Sequence, residues 1–305
     1  MKKFKKIVSL DNTGMNEICR KKLYDLGEEV LFFEGIPDDD DEAIRRIGAA
    51  DCVLVSIDST IKRKVIEACP NIRYIGLNCS LFRYNPKSCK VDIAACDDHG
   101  IELTGIFHYG DNGVREFIVA AVSMLMHGHQ KYIWADYPHE MFGRKFGVIG
   151  LGVVGRMVCD AMKYFGMDVY YTDVVQADDD EQTGYKYLPK DELLQTVDIL
   201  SVHVPRGNNV MGERDFEIFG NHKVFINCSY GITFDADAMI DWLKKCEKNF
   251  FIADKDGSGP RFEEFRAMEQ TIIGNYSAGA SYELTDRRSD KMIENMVNFL
   301  REDNQ

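Results

Sequence analysis

Short runs of β-branched and apolar residues alternate, through the first hundred positions, with stretches whose apolar residues recur at helical spacing. Lys6–Leu10, Glu29–Phe33, Cys52–Ser56, Arg73–Leu77 and Glu102–Thr104 read as strands. Between them, Met15–Leu26 places Ile18, Leu23 and Leu26 on one helical face, and Asp41–Ala49 and Ile61–Ala68 follow the same pattern. Five such steps predict a parallel, flavodoxin-like α/β layer. The acidic run Asp38 to Glu42 reads as a solvated helix start, because carboxylates are favoured at that end of the helix dipole.

A nearly continuous apolar stretch, Val114–His127, follows. It predicts one deeply buried helix bridging two domains. A second alternating series runs from Lys145 to about Ile273, with strands at Phe146–Ile149, Asp168–Tyr171, Ile199–Val202, Val224–Ile226 and Phe250–Ala253. Ile293–Leu300 reads as a terminal helix. The pattern is that of an α/β protein with two Rossmann-like domains, the second a doubly wound parallel sheet.

The length of 305 residues suits two domains of ordinary size. No apolar run approaches the roughly 18 residues of a membrane span, and the basic N-terminus leads into a strand-like run rather than a signal-type core. We therefore expect a cytoplasmic protein with no membrane role. A net charge of −13, with basic residues scattered among acids, argues against nucleic acid as a partner. Nine cysteines without a CxxC pair fit a reducing compartment. The spacing of Cys79, Cys89 and Cys96 matches no zinc pattern, so no metal is expected.

The most informative motif is Phe146-Gly147-Val148-Ile149-Gly150-Leu151-Gly152-Val153-Val154-Gly155, a GxGxxG between an apolar strand and a helix read at Arg156–Phe165. Gly150 allows the tight turn, Gly152 lets backbone approach a pyrophosphate, and Gly155 permits close strand–helix packing. The N-terminus of that helix faces the anion, with Val153 and Val154 among the cofactor contacts. Asp173, ending the next strand, is placed to accept hydrogen bonds from a ribose 2′-hydroxyl and to repel a 2′-phosphate. These residues predict NAD as the cofactor.

Several blocks in the same order resemble the D-isomer-specific 2-hydroxyacid dehydrogenase family. Gly147 to Gly155 is similar to its GxxGLGxxG, Val91 to Ile101 to its VDxxAAxxxGI, Gly113 to Glu116 to the start of its bridging helix, and Val197 to Pro205 to its aDivslHvP strand. The resemblance implies a discontinuous substrate domain, 1–113 plus 284–305, around an NAD domain, 114–283. It also implies a homodimer acting on a small-molecule substrate. For the cofactor it implies His203, Val204 and Pro205 near the adenine, with Cys228, Ser229 and Asp254 as further contacts. Cys79 and Ser80 fall in the loop that presents backbone amides to a substrate carboxylate in the family, and Tyr109 faces the cleft.

The family's reacting groups have no counterpart at the matching positions. Tyr230 stands where NxxRG has its arginine, Gly257 where DVFE has its glutamate, and Asn275 or Tyr276 where PHxAG has its histidine. One reading is an NAD(H)-dependent oxidoreductase of a small 2-hydroxy or 2-oxo acid with altered chemistry. Tyr230 or Tyr276 then serves as the acid, Lys255 as the neighbouring charge and Arg115 as the substitute clamp. The alternative is a protein that binds NAD(H) without turnover and serves as a sensor or partner-binding module.

Overall fold

The computed structural model describes residues 2–302 except Tyr84, Lys87, Ser88, Gln130 and Asp179. In the first series the strands are β1 (Phe4–Ser9), β2 (Gly27–Phe32), β3 (Cys52–Val55), β4 (Tyr74–Leu77) and β5 (Glu102–Thr104). They are connected by α1 (Glu17–Leu26), α2 (Asp40–Ile47), α3 (Arg63–Ala68) and α4 (Ile93–Asp98). Every strand pair is parallel and the order is β2-β1-β3-β4-β5, the flavodoxin-like arrangement expected. Period-two alternation sends Val8, Val53 and Ile75 to one apolar layer and Ile7, Leu54 and Tyr74 to the other. The acidic run does open α2: Asp39 caps it by accepting from the Glu42 amide, and Asp40, Asp41 and Glu42 fill its first turn.

The second layer is closed by the C-terminal helix, Tyr282–Glu302, through Met292, Ile293, Met296 and Leu300. The apolar pattern located only its last turns. Its first half is polar and is seated by hydrogen bonds instead: Asn16 Nδ2 donates to Asp286, the Asn16 amide to Ser289 Oγ, and Arg287 Nε to the Tyr109 carbonyl. Residues 1–109 and 281–305 form one compact unit.

Residues 110–280 form the other. It opens with α5 (Asp111–Met126), followed by β6 (Lys145–Ile149), α6 (Val153–Tyr164), β7 (Asp168–Thr172), α7 (Asp180–Thr183) and β8 (Lys186–Tyr187). Then come α8 (Lys190–Thr196), β9 (Ile199–Val202), α9 (Glu213–Phe219), β10 (Val224–Asn227), α10 (Ala236–Lys245) and β11 (Phe250–Ala253). The unit closes with α11 (Lys255–Ser258), a 3-10 turn at Gly259–Arg261, α12 (Phe262–Ala267) and β12 (Thr271–Ile273). All seven strands are parallel, in the order β12-β11-β10-β9-β6-β7-β8. The direction of winding therefore reverses between β6 and β9, where doubly wound sheets open a crevice at their carboxyl ends.

Helix α5 differs from the expected uniformly buried helix. Ile118, Ala121, Val122, Leu125 and Met126 are buried against β6 and α6, but Phe117, Val119 and Met124 are half-buried and Ala120 is exposed. Across the sheet, Phe225, Phe234, Phe251 and Phe265 form a cluster with centroids 5.0 to 6.0 Å apart, Phe225 stacked on Phe251 and the other pairs edge-on, which stiffens β10 and β11 beneath their loops.

Candidate functional site

The glycine turn sits at the reversal point of the seven-stranded sheet. Gly150 has φ of +96°, and a Cβ there would overlap the His203 carbonyl, so only glycine fits. A Cβ on Gly155 would overlap the Gly150 carbonyl, which is why α6 can lie so close to β6. A Cβ on Gly152 would meet nothing within 4 Å. The fold itself therefore leaves that position open, as a backbone approached by a phosphate requires. Gly152 also precedes the first turn of α6, so the free amides around Val153 and Val154 face the same space.

Asp173 completes this end of the site. Its Oδ2 accepts from the Leu151 amide at 2.6 Å and its Oδ1 from the Val174 amide at 2.6 Å, holding the carboxylate beside the glycine turn. The residues present thus fit a dinucleotide with a free ribose 2′-hydroxyl. His203 faces inward: its Nε2 lies 2.9 Å from Ser201 Oγ, and burial holds its imidazole down to about 4. The His203 backbone, packed against Gly150, is what lines the turn. Val204 is half-buried and Pro205 exposed. Cys228 and Ser229 are both buried; burial raises the Cys228 thiol, and Ser229 Oγ donates to the Val202 carbonyl at 3.0 Å.

The loops after β10 and β11 are tied together by fully buried Asn227. Its Nδ2 donates to the carbonyls of Gly231, at 3.0 Å, and Gly257, at 2.8 Å. Asp254 adds a second tie: its two oxygens accept from the amides of Gly257 and Ala278 at 2.6 and 2.7 Å. Burial outweighs those two donors and pushes its carboxyl up to about 6. A Cβ at Gly257 would overlap the Asn227 carbonyl, so a glutamate cannot occupy that position on this backbone.

These ties bring Tyr230 and Lys255 to one cavity of about 500 Å³, shared with Arg206, Gly231, Gly259 and Phe262. The Arg206 guanidinium lies over the Tyr230 ring, 5.2 Å from its centroid. Sequence reasoning missed both Arg206 and the structural part of Asn227. Arg206 follows the HvP strand at a position with no recognisable signal, whereas Asn227 stood in plain view within its motif. The Tyr276 carbonyl accepts from the Lys255 amide at 3.2 Å, but its side chain is 79% exposed and does not line the cavity. Arg115 lies on α5, 3.9 Å from Glu116, and is likewise outside the cavity lining.

In the other unit, Cys79 and Ser80 are half-buried in the loop after β4. The Cys79 carbonyl accepts from the Ile106 amide, and burial pushes its thiol up to about 11. Tyr109 packs partly into the layer closed by the C-terminal helix. All nine cysteines are free. Among the described residues no helix is long and apolar enough to cross a membrane, and no group of three or more His, Cys, Asp or Glu side chains is placed to hold a metal.

Parallel sheet, glycine turn and anchored carboxylate together define a dinucleotide-binding α/β protein of the doubly wound class. A family model, the NAD binding domain of D-isomer specific 2-hydroxyacid dehydrogenases, matches residues 119–277. The chain is 31% identical to a hydroxypyruvate reductase of Blautia hydrogenotrophica, over 97% of each chain. It is 24% identical to a glyoxylate reductase of Korarchaeum cryptofilum, over 85% of this chain and 82% of that one. The solved structure of a D-2-hydroxyisocaproate dehydrogenase matches its fold with a TM-score of 0.80 at 16% identity, covering 97% of this chain and 96% of that one. The chain belongs to the D-isomer specific 2-hydroxyacid dehydrogenase family of NAD-binding oxidoreductases.

Proposed function

We propose that this chain is an NAD(H)-dependent oxidoreductase that interconverts a small 2-oxo acid and its 2-hydroxy acid through reacting groups unlike those usual in its family. The observation that carries the reading is the cavity in which Arg206, Tyr230 and Lys255 meet at the carboxyl ends of β9, β10 and β11, on the sheet that bears the glycine turn. NAD(H), when bound, supplies or accepts the hydride. The amides at Gly152, Val153 and Val154 would hold its pyrophosphate and Asp173 would accept from its adenosine ribose. Backbone at His203, Val204 and Pro205 would meet the adenine, and the loops carrying Cys228, Ser229 and Asp254 would meet the nicotinamide.

Tyr230 Oη holds the proton that a nascent alkoxide needs. As that proton leaves, Arg206 over the ring and Lys255 across the cavity stabilise the negative charge left on the oxygen. Tyr276 and Arg115 fit this chemistry less well, the first turned to solvent and the second paired with Glu116. Residues 1–109 with 281–305 serve as the substrate domain, where Cys79, Ser80 and Tyr109 stand on loops at the carboxyl edge of the sheet. A homodimer and a cytoplasmic setting belong to the same proposal. Exposed Tyr137 and Phe142 between α5 and β6 support the first, and nine free thiols support the second.

The test is NADH consumption with hydroxypyruvate, glyoxylate and longer 2-oxo acids by the native protein and Tyr230→Phe. The expected outcome is turnover that falls about 100-fold in the variant, the scale of a lost general acid, with NADH affinity unchanged. Equal turnover by both proteins removes Tyr230 from the mechanism. NADH binding with no consumption on any acid supports the second reading, non-catalytic NAD(H) binding. That reading is favoured by a backbone that excludes a side chain at Gly257.

A further inference from the structure

The carboxyl edge of the five-stranded sheet gathers the loops after β1, β3, β4 and β5, and most of its polar groups satisfy one another. Asp11, buried there, accepts from the Ser56 amide at 2.9 Å and from the hydroxyls of Ser56 and Ser59. Asn78 bridges the Ile57 amide and the Thr13 carbonyl at 3.0 Å each. Asn16, Asp286, Arg287 and Ser289 seat the C-terminal helix across the same edge.

Arg288 is the exception. Its Nη2 donates to the Gly14 carbonyl at 3.2 Å, while its Nε is buried and meets no acceptor among the described residues. No carboxylate among the described residues forms an ion pair with it. Burial lowers its guanidinium from the ordinary value, and the titratable groups that act on it are the Tyr109 phenol and the Cys79 thiol rather than any carboxylate. The loop is shaped around this side chain: Gly14 has φ of +64°, and a Cβ there would overlap the guanidinium. A cation taken half out of water without a counter-charge is costly, and the cost is recovered when an anion completes the pair.

We propose that Arg288 is the residue that binds the carboxylate of the substrate, held between Gly14, Cys79 and Tyr109 at the carboxyl edge of the five-stranded sheet. The identity of that anion rests on the 2-oxo acid reading given above. The planar fork of a guanidinium matches the two oxygens of a carboxylate. The apolar pattern could not reveal it, because Arg288 lies in the polar half of its helix.

Oxalate, a carboxylate that NADH does not reduce, is the probe. Its binding to NADH-loaded full-length protein is measured calorimetrically for the native chain, Arg288→Gln and Arg288→Lys, with the neutral oxamide as control and thermal melting of each apo protein alongside. The account expects native protein to bind oxalate and not oxamide. Arg288→Gln should weaken oxalate binding by about 10-fold to 100-fold, the scale of a charge-assisted bond, with NADH affinity unchanged. Arg288→Lys, which keeps the charge and loses the fork, should fall between the two and serves as the test variant if the glutamine protein does not fold. Oxalate binding by either folded variant equal to the native protein overturns the assignment, as does a native protein that binds no oxalate. Arg288-dependent oxalate binding without NADH consumption on any 2-oxo acid would sink the oxidoreductase reading and leave the carboxylate site standing. NADH consumption with an unchanged KM in Arg288→Gln would do the reverse.

Discussion

Three glycines in one turn carry separate burdens, and substitution separates them. Gly150→Ala and Gly155→Ala drive a methyl into the carbonyls of His203 and Gly150, so both should lower stability by about 1–3 kcal/mol as well as impair NADH binding. Gly152→Ala meets nothing in the fold. It should melt with the native protein yet bind NADH at least about 10-fold more weakly, since the added methyl occupies the space a pyrophosphate needs. Melting curves and fluorescence titration with NADH check both halves. Two titrating groups, buried Asp254 and half-buried His203, make opposite contributions to acid behaviour. His203 is held down at about 4, so its contribution to stability is present above its ordinary value of 6.5 and is lost as pH falls towards 4. Asp254 is raised to about 6, so its contribution is full below 3.8 and is lost as pH rises through about 6. Melting temperatures of Asp254→Asn and His203→Asn across that window should therefore diverge from the native profile in opposite directions. The stability advantage of native over Asp254→Asn should shrink with rising pH, and that over His203→Asn should grow. At this scale the glycine turn and the anchored Asp173 were legible because backbone geometry dictates such a motif. Arg206 and Arg288 were not, because their contacts with Tyr230 and Gly14 join segments far apart in sequence, and Asn227, though visible in its motif, gave no sign that it ties two loops.

Among the elements, the C-terminal helix shows how a segment distant in sequence completes the first unit. Met296 is fully buried in the layer formed by Phe4, Ile7, Leu23 and Tyr74, and truncating it leaves a cavity that the surrounding sheet cannot close. Met296→Ala should cost about 2–5 kcal/mol, read as a lower midpoint in urea unfolding. Most strands were legible to within a residue or two because β-branched runs between polar turns carry a strong local signal. Ile199–Val202 and Phe250–Ala253 fall where the pattern put them. The polar half of the terminal helix escaped notice because hydrogen bonds to Asn16 and Tyr109 hold it, and these leave no hydrophobic period. Helix α5 misled in the opposite sense. Its composition suggested burial on all sides, whereas Ala120 is exposed and Phe117, Val119 and Met124 are half-buried.

For the whole molecule, two parallel α/β units present loops at the carboxyl edges of their sheets, one bearing the glycine turn and the other a guanidinium that has no ion-pair partner among the described residues. The family supplies the frame. In this chain the backbone at Gly257 excludes any side chain and the Tyr276 ring faces solvent. The central claim is that the glycine turn holds NADH for use on a 2-oxo acid. Its most direct test is a time course of NADH absorbance with a panel of 2-oxo acids, run side by side on the native protein and Gly152→Ala. The account predicts saturable consumption with at least one acid, lost or strongly reduced in a variant that melts like the native chain. No consumption by native protein that binds NADH, or equal consumption by both proteins, would contradict it.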